Sequence, residues 1–519
     1  MKLPKTKSVT NSLWTQRGRL ITLSSWSDDN FSMNRLLLTV LLVLPALPMK
    51  ALALPDSNQI EFSNCMLALP GTNLTAAARC GTYEVAENPA QPNGRKISLN
   101  IAIAPASGKS TESDPLFFFA GGPGQAASET WVMIRPMLNK IRKNRDIVMI
   151  DQRGTGKSNK LSCESEIEED LNQEIDLELV KSETEKCLAK LDGDPRFYTT
   201  SIAMGDYNQV RQAMGYDKIN IMGVSYGTRA AQVYLRLFPD TVRTVTLDSV
   251  VPMQLALGQE HAPMLDRSVK AVFDDCAADQ VCNSLFPGQA EDLNALFNQL
   301  REEPRQITII NPVSGEPQDM RLTADTLAVA IRFLSYASET QALIPLLVHE
   351  ALESGDLSRL ASQAILVMTG LNEMLARGME LSVMCAEDYP FIDQTADYSD
   401  SLIGNLMLEI IDLQCSVWTR GEVSPGFHQP VVSDLPVLLM SGERDPVTPP
   451  HYAALTAESF SNSLNLVARG QAHSVMKNVC LRDITMDFIN AGSIDDLDSS
   501  CVDNIQPAPF FTSLLGPDP

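Results

Sequence analysis

Ser225 lies in Gly223-Val224-Ser225-Tyr226-Gly227, directly behind the apolar run Ile219-Asn220-Ile221-Met222. A serine between two glycines, after a strand and before a helix, is the pattern of a nucleophile elbow, a turn too sharp for larger neighbours. A hydroxyl is a weak nucleophile at neutral pH. It needs a base to take its proton and a carboxylate to orient that base. The chain supplies both in the order Ser, Asp, His. Asp445 lies in Ser441-Gly442-Glu443-Arg444-Asp445-Pro446, after the apolar run Val437-Leu438-Leu439-Met440. His473 lies in Gly470-Gln471-Ala472-His473-Ser474, after Leu464-Asn465-Leu466-Val467. Each falls just beyond a predicted strand, at the end of a parallel sheet where α/β folds build their sites. Asp248, after the strand that follows the elbow, is a second candidate for the acid. The other histidines, His261, His349, His428 and His451, lack a strand-to-loop setting and are expected on the surface or in packing.

Acyl transfer also needs donors for the oxyanion that forms on the attacked carbonyl. The predicted strand Leu116–Ala120 runs into Gly121-Gly122-Pro123-Gly124, whose bare backbone can approach a substrate oxygen closely. The N–H groups of Gly122 and of Tyr226, just after the nucleophile, are the expected pair.

These residues need a scaffold. Strand-like segments at 97–104, 116–120, 147–151, 219–222 and 242–247 alternate with helical stretches, which means an α/β chain with a doubly wound, mostly parallel sheet. Met204–Met214, stopped by Gly215, reads as the helix before the elbow strand. From Val251 to Gln429 the alternation disappears and leucine and alanine recur at helical spacing. Within that stretch 306–322 reads as a small hairpin. The sheet resumes at 436–440 and 464–467, and a closing helix covers Met476–Asn490. The expected organisation is therefore an N-terminal extension and leader over 1–53, a core over 54–250, a mostly helical cap over 251–430, and the rest of the core over 431–519.

The loop Gly121-Gly122-Pro123-Gly124, the segment Asp151-Gln152-Arg153-Gly154-Thr155-Gly156-Lys157-Ser158 and the elbow Gly-x-Ser-Tyr-Gly together resemble the proline iminopeptidase and tripeptidyl aminopeptidase family of α/β-hydrolases. The likeness runs from about Cys65 onward. Cys276 to Cys282 with Phe286-Pro287, and Cys385 with Cys415-Ser416-Val417-Trp418, look more like its secreted tripeptidyl aminopeptidase branch. One departure is Ala120, where the iminopeptidases usually carry histidine; the expected oxyanion donors are backbone groups and do not depend on it. The resemblance implies an α/β-hydrolase fold with a helical cap, a Ser225–His473–Asp445 triad, no metal or organic cofactor, and short peptides with a free N-terminus as substrates. Binding a substrate ammonium group away from water requires a carboxylate. In this family acids of the cap serve that role, and Glu387 and Asp388, beside Cys385, are the candidates, expected to face the mouth of the site. Asp151 and Arg153 are expected to brace surrounding loops. An esterase or lipase with the same triad, and a silent hydrolase fold that only binds, are the rival readings, since Gly-x-Ser-x-Gly does not separate ester from amide cleavage.

Bulk properties agree. The chain has 519 residues, enough for a hydrolase core plus a large insertion. With 41 basic and 64 acidic residues its net charge is -23, which argues against nucleic acid as a partner. Arg35, the apolar run Leu36–Leu44, Pro45, Pro48 and Ala51-Leu52-Ala53 read as a secretory signal peptide cut after Ala53; the run is short and proline-broken for a membrane span. No later stretch is long and apolar enough to cross a bilayer. The 10 cysteines fall into near neighbours, Cys65 with Cys80, Cys163 with Cys187, Cys276 with Cys282, Cys385 with Cys415 and Cys480 with Cys501. An even count behind a leader suggests disulfides in an oxidising compartment, periplasmic or extracellular, although spacing leaves the connectivity open. No Cys-x-x-Cys pair supports zinc.

Overall fold

The computed structural model describes residues 60–109, 111–163, 176–312 and 314–517. The predicted leader falls outside the described residues. The strands are β1 Ser63–Ala68, β2 Thr75–Ala86, β3 Lys96–Ala104, β4 Leu116–Phe119, β5 Ile147–Ile150, β6 Ile219–Val224, β7 Val242–Asp248, β8 Arg305–Ile310, β9 Pro317–Leu322, β10 Val437–Gly442 and β11 Ser463–Ala468. Nine of them form one sheet in the order β1-β2-β3-β5-β4-β6-β7-β10-β11. From β5 through β11 neighbouring strands are parallel, and β1, β2 and β3 extend the sheet antiparallel.

The central strands carry apolar residues on both faces because helices cover both. Alternation along Phe117-Phe118-Phe119 sends the outer two side chains to one face and Phe118 to the other. Helices α1 Ala127–Leu138, α2 Leu177–Lys190, α3 Thr200–Ala213 and α4 Tyr226–Leu237 precede the insertion. Phe117 and Phe119 pack with Tyr207 of α3 and Tyr234 of α4, whereas Phe118 packs with Trp131 of α1 and with Phe488 of the last helix.

Between β7 and β10 the chain leaves the sheet for α5 His261–Ala278, α6 Gln280–Leu285, α7 Gln289–Glu302, the β8–β9 hairpin, α8 Ala324–Leu334, α9 Ser338–Gln341, α10 Ile344–Ser354, α11 Ser358–Met374, α12 Arg377–Val383 and α13 Leu406–Val417. This insertion has its own apolar cluster, including Leu265, Phe297, Ile331 and Leu347. The sheet is completed with α14 Pro450–Ala457 and α15 Val479–Ala491. All five disulfides join the nearest cysteines in sequence: Cys65–Cys80, Cys163–Cys187, Cys276–Cys282, Cys385–Cys415 and Cys480–Cys501.

Three elements differ from expectation. β1 and β2 were not expected, because their buried positions include the small residues Ala76 and Ala78, which give weak alternation. α3 starts at Thr200 rather than Met204, and that extra turn brings Thr200 into the site described below.

Candidate active site

The strand β6 runs directly into Ser225, which holds φ 57° and ψ -127°, a backbone conformation that non-glycine residues avoid unless the surroundings enforce it. Here the flanking glycines enforce it. A Cβ on Gly223 would lie 2.2 Å from Gly227 O, and one on Gly227 would lie 2.2 Å from Phe119 O. The Ser225 N–H donates to Asp248 O at 3.0 Å, which pins the elbow to β7. Immediately after Ser225, Tyr226 begins α4, so its N–H belongs to the first turn, where donors lack intrahelical acceptors.

The β4 loop comes up beside this turn. A Cβ on Gly121 would stand 3.2 Å from Ser225 Cβ. The next residue, Gly122, has φ 102°, and its N–H has no hydrogen-bond partner among the described residues. The loop is held from the other side by the insertion, where Ala376 N donates to Gly124 O at 3.0 Å.

Asp445 lies three residues past β10 and is fully buried. One carboxylate oxygen accepts from the N–H groups of Val447 and Thr448, both at 2.8 Å; the other accepts from Thr448 Oγ1 at 2.8 Å and faces His473 Nδ1 at 2.8 Å. Burial pushes this carboxyl up, but the charge and hydrogen bond of His473, with the Thr448 and Val447 N–H groups, outweigh it and hold Asp445 below the ordinary value. For His473 burial disfavours the imidazolium. The charge and hydrogen bond of Asp445, with Asp248 behind them, reverse that and raise its pKa. The structure records no Ser225–His473 hydrogen bond, and such bonds often tighten only when substrate binds.

Asp248, the second candidate acid, has a different place. Its carboxylate accepts from Val475 N at 3.0 Å, Met476 N at 3.2 Å and Ser474 Oγ at 3.2 Å. It therefore holds the turn after His473 with its side chain and the elbow with its carbonyl, while of the two acids Asp445 is the one that bonds the imidazole, with Thr448 Oγ1 also 3.2 Å from Nδ1.

The insertion grips both remaining loops. Arg267 of α5 donates to Glu443 O at 2.9 Å and to Asp445 O at 2.6 Å, and Ser268 Oγ donates to Arg444 O at 2.6 Å. Tyr336, just past α8, accepts from His473 N at 3.2 Å and stacks edge-on against its ring at 5.3 Å. Arg332 Nη2 reaches Tyr336 Oη at 3.2 Å and His261 Nδ1 at 3.3 Å.

Across residues 114–477 the chain matches the family described as alpha/beta hydrolase fold. It belongs to that family. Tripeptidyl aminopeptidase of Streptomyces coelicolor is 24% identical over 486 residues, covering 84% of this chain and 85% of the relative. Serine protease Hip1 of Mycobacterium tuberculosis is 26% identical over 257 residues, or 46% of this chain and 48% of its own length. Among solved structures, proline iminopeptidase from Mycobacterium smegmatis covers 79% of this chain and 98% of its own at 14% identity and TM-score 0.36.

Of the other residues singled out in this α/β-hydrolase, some lie as expected and others do not. Asp151 is fully buried and accepts from Ser128 N and Asn100 Nδ2, both at 2.8 Å, while Arg153 pairs with Asp206 at 2.7 Å; both brace loops, as expected. Glu387 and Asp388 do not face the mouth of the site. Both are fully buried, Glu387 bonded to Thr200 and Asp388 ion-paired with Arg229, because the disulfide Cys385–Cys415 and a π-helical turn over Met384–Asp388 direct them inward against the core. His349 packs on Phe286 and His451 is exposed. His261 and His428 are more than packing residues: His261 joins Arg332 beside the site, and His428 Nδ1 and Nε2 lie 2.8 Å and 2.5 Å from the carbonyls of Met253 and Glu387. Arg267, Arg332 and Tyr336 carried no local sequence signal, since their roles depend on helices returning to the sheet from far along the chain.

Proposed function

We propose that this α/β-hydrolase is an exported serine peptidase that releases residues from the N-terminus of short peptides. Ser225 Oγ attacks the scissile carbonyl. His473 Nε2 takes its proton and returns it to the leaving amine, then repeats the exchange with water to release the acyl group. Asp445 keeps the Nδ1 proton in place and stabilises the imidazolium. The N–H groups of Gly122 and Tyr226 receive the oxyanion.

The observation that carries this reading is the 2.8 Å His473–Asp445 contact, at the same end of the sheet as a serine forced into a strained elbow. The relatives named tripeptidyl aminopeptidase, spanning most of both chains, support a peptide substrate with a free N-terminus. Five disulfides support an oxidising compartment. The test is turnover of aminoacyl-, dipeptidyl- and tripeptidyl-coumarins, free and N-acetylated, beside a p-nitrophenyl ester. Preference for the free amine is expected. Equal cleavage of blocked and free peptides refutes the aminopeptidase reading.

A further inference from the structure

Two consecutive acids of the insertion meet the first turn of the helix that starts at the nucleophile. Asp388 Oδ1 pairs with Arg229 Nη1 at 2.5 Å and accepts from Leu257 N at 2.8 Å. Glu387 reaches the same turn through Thr200. Its Oε1 accepts from Thr200 N at 2.5 Å and its Oε2 from Thr200 Oγ1 at 2.7 Å. Thr200 Oγ1 lies 2.6 Å from Tyr226 Oη, which also accepts from Gln152 Nε2 at 3.0 Å. Glu387, Asp388, Thr200 and Arg229 have no exposed surface and Tyr226 has 1%, so solvent cannot replace any of these bonds.

The protons in this chain have one order. A hydroxyl carries a single proton. Thr200 spends its proton on Glu387, so Tyr226 must donate to Thr200, leaving a lone pair for the Gln152 amide. If Glu387 is protonated and donates to Thr200 instead, Thr200 turns to Tyr226, and the Tyr226 proton then confronts the Gln152 amide protons. The order with Gln152 Nε2 toward Tyr226 Oη requires an ionised Glu387; a protonated one requires the Gln152 amide to turn over.

We propose that Glu387 and Asp388 are positioning residues that clamp the first turn of the nucleophile helix to the insertion, and that ionised Glu387 holds Tyr226, with its oxyanion N–H, in the active arrangement. The groups facing Glu387 are Thr200, Tyr226 and Arg229 from the core, neighbouring Asp388, and His428, whose Nε2 lies against its carbonyl. Burial, the largest influence, and Asp388 push its carboxyl up to about 7, against the opposing pull of Thr200 and Arg229. The Glu387 half of the clamp therefore reverses its hydrogen bonds within the neutral range as pH falls.

The clamp rests on the assignment of Ser225 and Tyr226 made above, and ester hydrolysis separates the two. Glu387→Gln is measured across the neutral range on a p-nitrophenyl ester and on a tripeptidyl-coumarin with free and acetylated amines. A glutamine amide donates to Thr200 and fixes the chain in its reversed order. The expected result is a kcat about tenfold lower on all three substrates, KM for the free peptide within about twofold, and an acid limb with one ionisation fewer. Thr200→Val cuts the same chain without touching a charge. It should lower kcat equally and add nothing to Glu387→Gln in the double variant. If Glu387→Gln does not fold, the Thr200→Val rate and pH profile decide alone. A KM rise confined to free-amine peptides, an unchanged pH profile, or additive effects overturns the clamp. Ester turnover surviving in Ser225→Ala would instead indict the nucleophile.

Discussion

Replacing Asp445 by asparagine changes one atom of the buried cluster and should nearly silence the enzyme. Asparagine Oδ1 can keep the 2.8 Å bonds from Val447 and Thr448 N–H groups. Its Nδ2 then stands where the other oxygen faced His473 Nδ1 and Thr448 Oγ1. Thr448 can accept from it. His473 can do so only by moving its proton to Nε2, the atom that must receive the proton of Ser225. A wrong tautomer of this kind costs about 10⁴ in kcat, or about 5 kcal/mol of transition-state stabilisation. The Asp445 charge also raises His473, so the residual activity should have its acid limb at lower pH than the wild type. Stability should change little, because the volume and the backbone partners are kept. Asp445→Ala, by contrast, strands four donors, Val447 N–H, Thr448 N–H, Thr448 Oγ1 and His473 Nδ1, at about 1–3 kcal/mol each. Coumarin turnover across pH, with thermal unfolding of each variant, gives all of these readouts. A folded Asp445→Asn protein within about tenfold of wild-type kcat, or one whose acid limb stays in place, refutes the reasoning.

Arg332→Gln removes a cation that opposes charging of His473, so the acid limb of kcat/KM should move to higher pH, and an unmoved limb would take Arg332 out of the base's environment. Replacing Cys385 and Cys415 together by serine opens a bond across 30 residues and should cost about 2–4 kcal/mol in urea unfolding. The same pair of substitutions should also lower kcat, since Cys385 anchors the turn that carries Glu387; an unchanged unfolding midpoint contradicts the first effect and an unchanged kcat the second.

The sheet and the three loops that carry Ser225, Asp445 and His473 are legible because their signals are local. Apolar runs such as 437–440 need no long-range partner to read as buried strands, and glycines at 223 and 227 report a crowded turn by their own type. The antiparallel strands β1 and β2 were harder, as alanines at their buried positions blur the alternation. Glu387 and Asp388 were placed correctly beside a disulfide but given the wrong direction. Acidity suggests solvent or ligand, and only the fold supplies Arg229 and Thr200, each more than 150 residues earlier, as partners. The same distance hid Arg267, Arg332 and Tyr336. Their types are ordinary on helices, and their roles arise only where the insertion meets the loops of Asp445 and His473.

Ser225 as the attacking group is the central claim, and a fluorophosphonate probe tests it most directly. The wild-type protein should gain one adduct by intact mass, peptide mapping should place it on Ser225, and turnover of both coumarin and ester substrates should cease with it. Ser225→Ala should remain folded, gain no adduct and lose several orders of magnitude in kcat. Undiminished labelling or turnover in that variant would contradict the account.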